Sequence, residues 1–89
     1  MRAVITVIGC DRVGIIAAVT ADLAAVNINI LNISQALMDN LFTMIMLVDM
    51  GSSNASFADV SDKLKACGDK LGVEIRIQKE EIFDSMHRI

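Results

Sequence analysis

The chain has 89 residues, one domain's worth, and is 54% hydrophobic and 21% charged, too apolar for a disordered chain. With no proline and only 5 glycines it is neither collagen-like nor linker-rich. A net charge of −3, no Trp or Tyr and three Phe exclude the basic, aromatic-bearing footprint of a nucleic-acid binder, and an anionic membrane surface fits no better.

Ala3 to Ile8 is an apolar run rich in β-branched residues, which predicts a strand buried on both faces, ended by Gly9. Asp11 stands where a helix N-cap belongs, ahead of a helix over Val13 to Val26 whose buried stripe is Ile16, Val19, Leu23 and Val26. Ile28 to Leu37 alternates only partly. Its Asn29, Asn32 and Ser34 predict an edge strand, bulged near Leu31. Asp39-Asn40 is a turn, Leu41 to Met50 a second apolar strand, and Gly51 to Asn54 a loop. Ser56 with Asp59 makes a capping box, and Phe57, Val60, Leu64, Cys67 and Leu71 form one helical stripe that Gly72 ends. Val73, Ile75 and Ile77 alternate with charged and polar residues as a half-buried strand. In the tail, residues 80–89, Ile82, Phe83, Met86 and Ile89 recur at helical spacing and predict a short amphipathic helix.

The order strand, helix, strand, strand, helix, strand is two β-α-β units in succession. It predicts a ferredoxin-like α+β sandwich over 1–79, with antiparallel sheet order 4-1-3-2 and both helices on one face. The two most apolar strands then fall at the centre and the half-polar ones at the edges. The face without helices carries Val4, Thr6, Ile8, Leu41, Thr43, Ile45 and Leu47, an apolar patch that the tail or another subunit is expected to cover.

Cys10 and Cys67 are too few for a disulfide framework. No run of about 18 uncharged apolar residues exists, so no transmembrane helix is expected. Val7-Ile8-Gly9-Cys10 looks like a lipoprotein cleavage box, but the segment before it is too short for a signal peptide. A cytoplasmic protein is expected.

Catalytic motifs fare poorly. Gly9 and Gly14 bracket four residues like a P-loop, yet Ile15 and Ile16 follow where Lys and Ser/Thr would be needed. Cys10 has no base signalled near it, the only His being His87 in the tail. Cys10 alone is not the C-x-x-C of a metallochaperone, so no metal and no cofactor are expected. Arg12 keeps an acylphosphatase-like enzyme as a remote alternative, without that family's glycine-rich phosphate cradle. Cys67 and the methionines read as core or interface filling.

A binding role fits better. Asp11-Arg12-Val13-Gly14-Ile15 places a glycine in the first turn of a helix, whose free N–H groups and positive dipole end suit a carboxylate. Asn29 follows at the start of the next strand, with a donor and an acceptor for an amino-acid backbone. The plain alternative is a capped helix with a packing glycine.

Val4 to Gly9, then Asp11-Arg12-Val13-Gly14-Ile15, then Asn29-Ile30 and Ile33-Ser34-Gln35 resemble an ACT domain over residues 1–79. The spacing and the tail are similar to the small stand-alone ACT proteins of bacteria and archaea. The resemblance implies a regulatory module that binds an amino acid or similar small molecule between two copies. It implies that Asp11, Val13, Gly14 and Ile15 line the site from the first loop, and Asn29 and Ile30 from the second strand. It also implies edge strands joined into one sheet, and it supplies no enzyme or DNA-binding domain of the kind to which most ACT modules are fused. The expectation is a non-enzymatic, ligand-binding homodimer or larger assembly. The alternative is a ligand-free interaction or dimerisation module.

Overall fold

The computed structural model describes residues 1–10 and 13–81. Its elements are β1 (Arg2–Cys10), α1 (Ile15–Ala25), β2 (Asn29–Met38), β3 (Leu41–Asp49), α2 (Phe57–Leu71) and β4 (Glu74–Lys79). The four strands form one antiparallel sheet in the order β2-β3-β1-β4, which is the ferredoxin-like order expected.

Pleat parity divides the sheet. Ala3, Ile5 and Val7 of β1 and Phe42, Met44, Met46 and Val48 of β3 face the helices and are buried. Ile15, Val19 and Leu23 of α1 and Val60, Leu64 and Cys67 of α2 complete the same cluster, so both helices cover one face. Phe57, Leu71 and Ile77 pack at its margin. The other face carries Val4, Thr6 and Ile8 opposite Leu47, Ile45 and Thr43, as the alternation predicts.

The second helix follows its sequence signals closely. Ser56 Oγ accepts from the Asp59 N–H at 3.1 Å. Gly72 closes the helix at φ 74, in the left-handed region that favours glycine. The bulge is also where the sequence puts it: pairing of β2 with β3 shifts between Ile30 and Asn32, leaving Leu31 extra. Asn27 takes φ 61 at the corner before β2, and its Nδ2 donates to the Ser52 carbonyl at 2.9 Å. Ser53 Oγ donates to the Val26 carbonyl at 2.8 Å, so the corner and the loop after β3 are tied together.

Three expectations are corrected. Gly9 does not end the first strand. It pairs with Phe42 inside β1, and a Cβ there would lie 2.6 Å from Val73 Cγ1, so it is the close crossing beside β4 that requires glycine. The first helix begins at Ile15 rather than Val13, because Gly14 itself is the N-cap at φ 93. Its buried stripe is consequently Ile15, Val19 and Leu23, with Ile16 turned outward. Asp11, expected as that cap, and the tail helix beyond Glu81 lie outside the described residues.

Candidate functional site

The end of β1, the residues leading into α1 and the end of β2 meet at one end of the sheet. Cys10 pairs with Leu41, and Leu41 with Met38. There the chain enters α1 through Gly14, whose φ of 93 and ψ of 0 an L side chain adopts only under strain. No side chain caps the helix at this residue, although the Gly14 carbonyl accepts the first helical bond from the Ala18 N–H at 2.9 Å. The amides of the first turn therefore face an end of the helix with no residue-14 side chain in front of them. Among the described residues a Cβ built on Gly14 would meet nothing within 4 Å, so they leave space beside this residue at the helix start.

The expected site residues divide sharply. Val13 is fully exposed at 102%. Ile15 is 2% exposed, with its side chain in the core. Ile30 is half-buried and packs against the core, and Asn29 is exposed at the first position of β2. Asp11 and Arg12 lie outside the described residues.

The register separates the two halves of this set. Asn29 pairs with Asp49, and Asp49 with Arg2, so Asn29 stands at the opposite end of the sheet from Cys10 and Gly14. Along the nine residues of β1 the two ends are about 26 Å apart. One chain therefore does not bring Gly14 and Asn29 together.

An open cavity of about 430 Å³ lies beside the start of α1, lined by Ile16, Gln35, Ala36, Leu37 and Phe42. Sequence reasoning missed Gln35 and Ile16 as its walls. Ile16 was assigned to the buried stripe by a helix phase that started two residues early. Gln35 carried a signal, being the one long polar side chain of Ile33-Ser34-Gln35 on an edge strand.

Other chemistry is sparse. Cys10 is exposed, while Cys67 is buried on α2. Burial pushes the Cys67 thiol up, and a hydrogen bond and the negative charge of Asp22 on α1 add to the rise. Among the described residues, no three His, Cys, Asp or Glu side chains gather as a metal ion requires, and no helix is long and apolar enough to cross a membrane.

An antiparallel βαββαβ sheet in the order β2-β3-β1-β4, with both helices on one face, makes this a ferredoxin-like α+β domain. The family model for the ACT domain matches residues 2–78, and the chain belongs to the ACT-domain family. A UPF0237 protein of Clostridium acetobutylicum is 56% identical over 89 residues, 100% of both chains. One from Methanocaldococcus jannaschii is 51% identical over 88 residues, 99% of this chain and 98% of the relative. Among solved structures, an ACT domain protein from Streptococcus pneumoniae superposes with a TM-score of 0.81 at 38% identity, covering 93% of each chain. A putative glycine cleavage system transcriptional repressor superposes at 0.74 and 26% identity, over 86% of this chain and 44% of its own. ACT domains are regulatory, ligand-binding modules of amino-acid metabolism.

Proposed function

We propose that the protein is a non-enzymatic regulatory module that binds an amino acid or a similar small carboxylate between two copies of itself. The observation that carries this reading is the register. Asn29 opens β2, the exposed edge strand, and Gly14 lies at the end of the sheet where β2 finishes at Met38. When two β2 edges pair antiparallel about a two-fold axis, Asn29 of one copy arrives beside the Met38 end of the other, which is the Gly14 end. The open helix start then faces the ligand's carboxylate, and the second copy's Asn29 amide offers a donor and an acceptor to its polar groups. The apolar β2 residues Leu31, Ile33, Leu37 and Met38, all exposed in one chain, supply the contact surface. A cytoplasmic location and a homodimer belong to this reading.

Titration calorimetry with the common amino acids tests it. Binding is expected at millimolar concentration or below, from a species larger than 9.6 kDa by sedimentation. Asn29→Ala is expected to weaken binding by about 0.5–1.5 kcal/mol for a lost neutral hydrogen bond, or about 1.5–3 kcal/mol for one to a charged group. Gly14→Val, placing a side chain in the open space over the helix, is expected to block it, with circular dichroism as the folding control. The two variants mixed and reassembled should regain about a quarter of the original sites, because each mixed dimer holds one intact pair of Gly14 and Asn29. No recovery on mixing would sink the shared site. If no amino acid binds the unaltered protein, the ligand-free dimerisation module takes its place, which the apolar β2 edge supports without any ligand.

A further inference from the structure

The open sheet face is unevenly covered. Val4 is only 6% exposed, although it stands on the side away from the helices and outside the core cluster. Its neighbour across the ladder, Leu47, is half-buried. At the far end of the same face Ile8 is 42% and Leu41 48% exposed. Among the described residues neither helix lies over this face, since both belong to the cluster on the other side.

The chain leaves the sheet at the covered end. β4 stops at Lys79, opposite Ala3, and Glu80 and Glu81 begin a helical turn. The Glu80 carboxylate pairs with the Arg2 guanidinium at 3.2 Å. Arg2 shares the open face with Val4 by pleat parity, so this ion pair holds the start of the tail at the rim of that face. Residues 82–89 lie outside the described residues, and their Ile82, Phe83, Met86 and Ile89 recur at helical spacing.

We propose that residues 82–89 of the same chain occupy the open face over Val4, Thr6 and Leu47, with Phe83 and Met86 as the buried contacts. The length fits: eight residues as a helix extend about 12 Å, which from the Arg2 rim passes Val4, ends near Thr6 and stops short of Ile8 and Leu41. The gradient of exposure along β1 follows the same reach. A tethered segment starts at an effective concentration near millimolar, an advantage a second copy lacks. The β2 edge is left free, so this proposal stands or falls apart from the ligand reading.

Nuclear Overhauser spectra of the full chain test it. With uniform labelling, cross-peaks are expected from the Phe83 ring and Met86 methyl to the methyls of Val4 and Leu47. In an isotope-filtered spectrum of mixed labelled and unlabelled chains these peaks should be lost. Peaks that persist in the filtered spectrum overturn the proposal in favour of a second copy's tail, and their absence from both spectra overturns it outright. Phe83→Asp is a second arm, expected to raise binding of an apolar dye several-fold and to lower the melting temperature; unchanged dye binding by a folded variant counts against the proposal. Where that variant does not fold, the spectra of the unaltered chain decide.

Discussion

The two β-α-β halves share a topology and differ in how far each completes itself. In the second half, α2 is an ordinary amphipathic helix: Ser56 caps its start, Gly72 its end, Asp59 sits in the first turn and Lys70 in the last. Its edge strand, β4, is short and carries Glu74, Arg76 and Lys79, with Arg76 paired to Glu74 at 2.8 Å. In the first half, among the described residues, α1 has no side-chain cap, and it has neither an acidic residue in its first turn nor a basic one in its last. It is apolar nearly all round, with Ile16, Ala17, Ala21 and Ala24 exposed. Its edge strand, β2, runs ten residues with no charge and with Leu31, Ile33, Leu37 and Met38 exposed. An apolar helix and an unguarded edge on one side describe a surface built to be covered. The half that lacks its own finish is the half that holds the open helix start.

The largest effect should be shared by both halves, because they bury one core. Leu23 on α1 and Leu64 on α2 are each 1% exposed. Leu23→Ala and Leu64→Ala should each cost about 2–5 kcal/mol in urea unfolding, a large part of a domain's usual 5–15 kcal/mol or so. A much smaller loss for Leu23→Ala would break the picture of a common core and make α1 an appendage.

The glycines separate the halves next. A Cβ on Gly68 of α2 would lie 2.6 Å from the Val73 carbonyl oxygen, a backbone atom that cannot move without shifting β4. Gly68→Ala should cost about 1–3 kcal/mol by overpacking. Gly14 has space beside it among the described residues, and a side chain there is strained for a different reason, the φ of 93. Gly14→Ala should cost about 1–2 kcal/mol through the backbone alone. The cost at Gly14 should fall when the replacement tolerates the left-handed region, as Asn does, whereas Gly68→Asn should be worse than Gly68→Ala. Thermal unfolding of the four variants checks the pattern.

The same contrast explains what was legible in the sequence. Signals that act within a few residues came through: the Ser56–Asp59 cap, the Gly72 stop, the Leu31 bulge and the alternation of β1 and β3. Gly9 was misread because its reason is Val73, distant in sequence, and a local reading sees only a strand breaker. The start of α1 was misread because an acidic residue before a glycine looks like a cap, while a glycine in the left-handed region can take that place itself. The candidate residues can be named from the sequence, but where the fold places them cannot. Only the register shows that Gly14 and Asn29 stand at opposite ends of the sheet, and register is a property of strand pairing rather than of any short motif.

Capping gives a smaller effect and bears on one half only. Ser56→Ala removes the acceptor for the Asp59 N–H and should cost about 1 kcal/mol. The first half has no matching side chain to remove at residue 14. A chemical-denaturation difference well under that figure would mean that water serves the start of α2 as well as Ser56 does.

The smallest effect lies where the halves touch. Cys67 of α2 is buried, with Asp22 of α1 beside its thiol, and burial followed by that carboxylate raises its pKa above the ordinary value of 9.0. A raised thiol pKa means that the folded chain holds this proton at pH values where the unfolded chain releases it. The contribution to stability is therefore fully present below about pH 9 and is lost as pH rises through the folded value. Unfolding free energy measured from pH 7 to 10.5 should bend downward at the alkaline end, and Cys67→Ala should bend less. Asp22→Asn should keep most of the bend, because burial is the larger cause and the carboxylate the lesser. A thiol reagent at pH 8 should modify Cys10 at once and Cys67 only after denaturant is added. Equal rates at the two cysteines would show that the seam between α1 and α2 opens readily, so that the first half departs from the second in its packing against α2 and not only at its exposed edge.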